Sequence, residues 1–330
     1  MFLTIVYSII VFIFVICISL RIYSRYILFR CKSNICLEGK TAIVTGGSLG
    51  IGYHIVCNLA SRGCKIIVAD KVITDDVKDA IYKETNSKKI TYEYVDLASF
   101  KSVREFAERI NSTEEKLDIL IHNAGIGKSF GTLSEDGLNV PMQINYYSAF
   151  LMTHLLIDIM KKSPAARLIF AGSAFSFFNT ISINKNNPDD INLGTMQLDY
   201  HTSKFCVIAA SDIFSAKLKE YNIMSNSYHP GVVRTRMINQ FKGEGMTLFE
   251  AFIGRFLSFI SFLIGKSPEE GAQIALHLAC SREMEGVTGN FFGEGNSRFK
   301  PIQAYNKKLC QLLWSHSEKI VKLTPEEILS

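Results

Sequence analysis

Thr41-Ala42-Ile43-Val44-Thr45-Gly46-Gly47-Ser48-Leu49-Gly50-Ile51-Gly52 is the stretch on which the fold turns. Residues 41–45 read as a short apolar strand and residues 51–62 as a helix, with Gly46, Gly50 and Gly52 at the junction. A pyrophosphate held at such a turn must approach the backbone closely, and a Cβ would block it. The helix that follows offers free N–H groups and the positive end of its dipole to phosphate oxygens. Glycines alone are a weak signal, because tight turns favour them anyway. Their place after a strand and at the opening of a helix is the context the reading requires.

Residues 65–69 supply a second strand, which ends on Asp70, eighteen residues past Gly52. A carboxylate near this distance can accept hydrogen bonds from the ribose hydroxyls of adenosine, and it would repel a 2′-phosphate. The expected cofactor is therefore NAD. Lys71 could neutralise that repulsion, which leaves NADP as the alternative. Further strands at 91–95, 117–122, 167–171 and 224–228 are separated by helical stretches. The alternation predicts an α/β fold: a Rossmann-like doubly wound parallel sheet, single domain, spanning 39–330 and preceded by an N-terminal transmembrane helix.

The 330 residues are 48% hydrophobic and 20% charged, a globular balance that excludes disorder as the main state. The net charge of +5 is local. Arg21, Arg25, Arg30 and Lys32 lie in the first 37 residues, which hold no Asp or Glu; the other 32 basic and 31 acidic residues nearly cancel. No basic stripe suited to nucleic acid is present. Residues 1–20 carry no charge, and a helix of that length spans about 30 Å, the thickness of a bilayer core. The basic flank follows the apolar run, which predicts an uncleaved single-pass anchor over 1–20, a basic juxtamembrane linker over 21–38, and a main domain facing the cytosol. On that side Asn111-Ser112-Thr113 would stay unglycosylated. The eight Cys and seven His show no metal-ligand spacing, so free thiols and no metal are expected.

Tyr200 and Lys204 open an amphipathic helix over 200–219. Residues four apart share a helix face, so the ammonium is expected beside the phenol. A free tyrosine, with a pKa of about 10, is a poor base at neutral pH, and a nearby cation favours the phenolate. Tyr200 is thus a candidate general acid/base. The pair alone could equally be a solvated surface pair. Ser173 adds weight, because it follows strand 167–171 at the carboxyl end, where open α/β sheets bind ligands.

The spacing Thr45-Gly46-x-x-x-Gly50-x-Gly52 resembles the short-chain dehydrogenase/reductase family. Asp96-Leu97 is similar to that family's adenine-contacting pair. Asn123-Ala124-Gly125 is similar to its Asn-Asn-Ala-Gly motif, with His122 in place of the first Asn. His229-Pro230-Gly231 with Thr235 resembles its Pro-Gly motif, whose downstream Thr contacts the nicotinamide carboxamide. The resemblance implies a cofactor site of Thr45, Gly46, Ser48, Leu49, Gly50, Ile51 and Gly52, then Asp70, Lys71, Asp96, Leu97, Asn123, Ala124 and Gly125. Tyr200, Lys204, Pro230, Gly231, Val233 and Thr235 complete it. It also implies Asn145, Ser173, Tyr200 and Lys204 as catalytic residues for hydride transfer between a carbinol carbon and the nicotinamide. Tyr200 would exchange the proton, Lys204 and a water held by Asn145 in helix 140–162 would relay it, and Ser173 with Tyr200 would bind the substrate oxygen.

The stretch from about 39 to 322 resembles the retinol dehydrogenase-like branch. Ser267-Pro268-Glu269-Glu270-Gly271-Ala272, Gly289-Asn290-Phe291-Phe292 and the 27-residue step from Ser173 to Tyr200 carry that likeness. Many members have Arg after the second strand and Asn in the glycine loop, where this chain has Asp70-Lys71 and Ser48. The branch implies the endoplasmic reticulum membrane. In the segment 246–265, Phe249, Phe252, Phe256, Phe259 and Phe262 recur at steps of three and four, and so gather on one helix face. That face reads as a lid, a membrane-surface helix or a helix packed on the core. A lid and an anchor together suggest a lipophilic alcohol, aldehyde or ketone: a retinoid, sterol, isoprenoid or fatty aldehyde. The expected partners are that substrate and membrane lipid, with a homodimer through helices 140–162 and 200–219 possible by resemblance. The rival readings are a catalytically silent nucleotide-binding scaffold on a membrane and a sugar-nucleotide epimerase.

Overall fold

β1 (Thr41–Thr45) is buried along its whole length, as a central parallel strand covered on both faces must be. The computed structural model describes residues 2–127, 132–194, 199–234, 255 and 258–329, with backbone alone at 2–6, 8–10 and 13. β1 pairs in parallel with β2 (Lys65–Asp70) on one side and with β4 (Ile119–His122) on the other. β3 (Ile90–Tyr94) extends the β2 side. On the β4 side follow β5 (Ala166–Ala171), β8 (Ile223–His229) and β9 (Phe291–Gly293), all parallel. β10 (Asn296–Arg298) closes that edge antiparallel, giving the order β10-β9-β8-β5-β4-β1-β2-β3. The order reverses at β1, and this switch point opens a crevice beyond the carboxyl ends of β1 and β4. A separate antiparallel pair, β6 (Ser182–Ile183) and β7 (Ile191–Asn192), lies in the insertion between Ser173 and Tyr200.

Alternation along the strands sends side chains to two cores. Ala42 and Val44 point to the layer of α2 (Gly50–Ser61), α3 (Asp75–Thr85) and α8 (Pro268–Cys280), where they meet Ile55, Val56, Ala275 and Leu278. Ile43 and Phe170 point to α4 (Phe100–Thr113), α6 (Ser148–Lys161) and α7 (Asp199–Lys217), with Phe106, Phe150 and Phe214. The helix expected over 140–162 forms with an irregularity: α5 (Val140–Met142) passes through a π turn, Gln143–Tyr147, before α6. Such wide turns concentrate at functional positions, and this one holds Asn145.

Two regions depart from the simple expectation. α9 (Lys307–Ile320) packs on α6 and α7: Trp314 meets Phe150 and Phe214 at 4.8 Å, and Tyr146 hydrogen-bonds Ser317 at 2.6 Å. The chain thereby covers part of the two helices suggested for a homodimer with a helix of its own. The stretch 21–38, expected as a linker, is docked on the domain. Arg25 pairs with Glu270 at 2.7 Å, Phe29 packs edge-on against His277, and the Leu37 N–H donates to the Arg62 carbonyl. Phe29 also fills the space over Gly295 that a Cβ would need. α1 (Phe2–Tyr26) covers the uncharged N-terminal run. Among the described residues, no helix is long and apolar enough to cross a membrane.

Of the apolar segment at 246–265, residues 258–264 are seen as helix. Ser261 and Leu263 face inward, while Phe259 and Phe262 are 50% and 69% exposed. Within this part the aromatic face is turned outward. Phe249, Phe252, Phe256 and Thr235 lie outside the described residues.

Candidate active site

The switch-point crevice is built first from backbone. Thr45 Oγ1 accepts the N–H groups of Asn123 and Ala124, both at 3.1 Å, and Asn123 Nδ2 donates to the carbonyls of Thr45 and Gly46. These bonds lock the end of β1 to the end of β4. Gly46 (φ +65°) and Gly50 (φ +57°) occupy the left-handed region. A Cβ on Gly52 would lie 2.0 Å from the Gly46 carbonyl oxygen. Leu49 is the N-cap of α2 and supplies no side-chain cap, so the first-turn N–H groups are left for a ligand. Ser48 Oγ is buried and has no hydrogen-bond partner among the described residues. The cradle that a Cβ would fill, the uncapped helix start and the orphaned hydroxyl together fit a dinucleotide phosphate. Ile51 faces away from it, toward the Gly271 end of α8.

At the β2 side of the crevice, where adenosine is expected, the Asp70 carboxylate accepts the N–H of Ser48 at 3.2 Å and of Lys71 at 2.8 Å. The Lys71 ammonium pairs with Asp96 at 2.6 Å, and this bond raises its pKa. Asp96 also accepts the Ala98 N–H, and the Leu97 carbonyl accepts the Ser148 hydroxyl at 2.6 Å. His122 turns away from the crevice, stacks on Phe170 and hydrogen-bonds Thr153 at 2.9 Å. Burial drives its pKa down to about 3, so it is a neutral core imidazole. Capping of the strand end falls to Asn123 and Thr45.

At the other end of the crevice the four side chains implied for catalysis come together. Asn145 Oδ1 accepts the Ile126 N–H at 2.8 Å, and its Nδ2 donates to the Ile126 carbonyl and to Ser203 Oγ, both at 3.0 Å. The Lys204 ammonium donates to the Ala171 carbonyl at 2.7 Å. A Cβ on Gly125 would lie 3.1 Å from Asn145 Oδ1 and 3.2 Å from Lys204 Nζ, so the two groups converge on this position and leave a side chain there little room. Ser173 Oγ accepts the Phe175 N–H at 3.2 Å, and the Phe175 ring in turn meets the Tyr200 ring.

The electrostatics correct one expectation. Lys204 was expected to pull the pKa of Tyr200 down. Instead burial raises the Tyr200 pKa, and the nearby Ser173 hydroxyl only partly offsets this. Lys204 Nζ lies 5.9 Å from the centre of the phenol ring and is spent on the Ala171 carbonyl; burial pushes its own pKa down to about 8. Desolvation disfavours both charged forms. Tyr200 is therefore a phenol at neutral pH, ready to donate.

Beyond β8, Gly231 takes φ +94°, and a Cβ there would lie 2.8 Å from Lys266 Cε. Lys266 pairs with Glu294 at 2.7 Å, while Val233 bridges to Lys266 and packs at the start of α8. Pro230, partly buried, leads into this turn. Sequence reasoning overlooked the 3₁₀ turn Ala174–Phe178. Phe175, Phe177 and Phe178 stand exposed there, and Phe175 meets the Tyr200 ring edge-on at 6.3 Å. Three aromatics in the five residues after Ser173 were the available signal.

Comparison with known proteins bears on this geometry. The short chain dehydrogenase family model matches residues 40–244. Human "Retinol dehydrogenase 13" is 33% identical over 299 residues, covering 89% of this chain and 88% of that protein. Mouse "Retinol dehydrogenase 14" is 28% identical, covering 86% of each. Among solved structures, the Pseudomonas aeruginosa RhlG/NADP active-site complex is 25% identical with a TM-score of 0.59, over 78% of this chain and 94% of that one. A Mycobacterium paratuberculosis structure, 19% identical with a TM-score of 0.63 over 87% and 95%, shares the fold. A phosphate cradle at a switch point, with a tyrosine, a serine and a lysine gathered at its far end, is what this relatedness leads one to find. The chain belongs to the short-chain dehydrogenase/reductase family, in its retinol dehydrogenase-like branch, and is an NAD(P)-dependent oxidoreductase acting on CH–OH groups.

Proposed function

We propose that the enzyme interconverts a lipophilic alcohol and its aldehyde or ketone, with Tyr200 as general acid/base. The observation that carries this is the gathering of Asn145 and Lys204 at Gly125, with the Lys204 ammonium 5.9 Å from the centre of the Tyr200 ring and the exposed Phe175 against that ring's edge. The bound dinucleotide would supply the hydride acceptor or donor. Ser173 and Tyr200 hold the substrate oxygen between them. In reduction Tyr200 donates its proton to the developing alkoxide; in oxidation the phenol first gives up its own proton toward Lys204 and solvent, and the phenolate so formed accepts the alcohol proton. Lys204, with a pKa near 8, and Asn145 meet at Gly125, where a water between them would return protons from solvent. The Phe rim and the outward Phe259 and Phe262 suit an apolar chain such as a retinoid, sterol, isoprenoid or fatty aldehyde.

NAD is the preferred dinucleotide in this reading, because the Asp70 carboxylate is fixed by two N–H groups where a 2′-phosphate would come. Lys71 is engaged by Asp96, so NADP needs that pair to open. The proposed setting is the endoplasmic reticulum membrane, with residues 1–20 as a single-pass anchor and the catalytic domain in the cytosol; the uncharged run followed by Arg21 and Arg25 supports it. Pairing of subunits through α6 and α7 is opposed by the α9 helix lying on them.

A panel of retinoids, sterols, isoprenols and fatty aldehydes, assayed with NADH and with NADPH, tests the reading. Turnover of long apolar substrates with NADH is expected. Turnover with NADPH alone would overturn the role given to Asp70. Glycan at Asn111 in protein made in a eukaryotic cell would overturn the cytosolic orientation.

A further inference from the structure

His229 ends β8 and precedes the Pro230-Gly231 turn. Its Nδ1 lies 3.3 Å from the amide nitrogen of Ala174 and 3.4 Å from that of Gly231. Both partners are donors, so Nδ1 carries a lone pair and the ring is neutral, with its proton on Nε2. The surroundings hold it in that state. Burial, then the charges of Lys266 and Arg298, keep its pKa at about 4. Ala174 is the residue after Ser173 and opens the 3₁₀ turn; Gly231 is the left-handed residue of the following loop. One imidazole nitrogen therefore ties together two loops that come from different strands, β5 and β8.

We infer that His229 is a positioning residue for the reaction: it holds the Ser173 turn in register with the Pro230-Gly231 turn, and so fixes the substrate oxygen relative to the nicotinamide side of the cleft. This rests on the reading of Ser173 and Tyr200 as the groups that hold the substrate. His229 itself touches no reacting atom. Its effect is geometric, and a misplacement of about 1 Å between reacting groups can lower a rate about a hundredfold.

Three replacements separate acceptor position from bulk and polarity. In His229→Asn the amide oxygen falls close to the place of Nδ1. In His229→Gln it reaches toward the place of Nε2, and His229→Leu has no acceptor. With saturating dinucleotide, kcat is expected to fall about tenfold or more in the Gln and Leu variants but by less than about threefold in the Asn variant. Tm and the Kd for reduced dinucleotide, followed by its fluorescence, should be alike in all three. Ala174→Pro removes one of the two donors from the other side. Proline is tolerated at the first position of a helical turn, and Ser173, at φ −160° and ψ 151°, already has the extended conformation required before it. It too should lower kcat while the fold is kept. An Asn variant as slow as the Gln and Leu variants, no loss in any of them, or wild-type kcat in Ala174→Pro would overturn the inference. Tyr200→Phe is run alongside; full activity there would indict the site assignment itself rather than His229.

Discussion

The two ends of the cleft use the same kinds of side chain in opposite ways. At the adenosine end the Lys71 side chain is 60% exposed, and its partner Asp96 raises its pKa. At the reaction end Lys204 is 4% exposed, and burial takes its pKa down to about 8. Near water, a charge is cheap to keep and pairing decides its state. Away from water, desolvation decides, and it favours neutral forms. In the proposed reading, the wet end recognises a nucleotide by fixed charge. The dry end holds a phenol, a neutral imidazole and a softened ammonium, which is a set suited to moving a proton.

The sharpest test of this contrast is Tyr200→Phe. Loss of the proton donor should lower kcat by about a thousandfold, within the usual range for general acid/base groups, with dinucleotide affinity unchanged. Equal losses in both quantities would mean that the two ends are not separable. Next in size is Gly52→Ala at the cradle. A Cβ 2.0 Å from the Gly46 carbonyl cannot be accommodated without moving backbone, and a loss of about 3 kcal/mol of stability is expected in urea unfolding, together with weaker dinucleotide binding.

Acid should expose the dry side of the molecule. His122 and His154 have folded pKa values near 3 and 4, below the ordinary 6.5, chiefly because they are buried. The unfolded chain therefore binds more protons between about pH 4 and 6.5, and stability falls as pH falls through that window. By pH 5 each imidazole should account for about 2 kcal/mol. Comparing urea midpoints at pH 7 and 5 checks this; His122→Asn should flatten the dependence even where it lowers stability at pH 7. The smallest expected effect lies at the wet end. Asp70→Ala should weaken preference for NAD over NADP by about tenfold, read from the ratio of kcat/KM values. No change in that ratio would remove Asp70 from the recognition of the ribose.

Much of this was legible because it is local. Residues 41–45, 65–69 and 167–171 were readable as strands since buried parallel strands are continuous apolar runs; Gly46 and Gly50 were readable since they take positive φ, and Gly52 since a Cβ there would meet the Gly46 carbonyl. The nearness of Lys204 to the Tyr200 ring follows from helical spacing. What escaped is what depends on distant chain segments. The π turn at Gln143–Tyr147 has no spacing signature. The docking of Arg25 on Glu270 joins residues 245 apart in sequence. The placing of Trp314 against Phe150 shows only when α9 folds back.

The amino-acid order alone determined that the chain would form a doubly wound sheet with a phosphate cradle, because strand periodicity, glycine geometry and helical spacing act over a few residues. It could not determine the protonation state of the reacting groups. The proton affinity of Tyr200, Lys204 and His229 depends on how much water the assembled domain removes around them, and only the packing of β5, β8 and α7 against one another decides that.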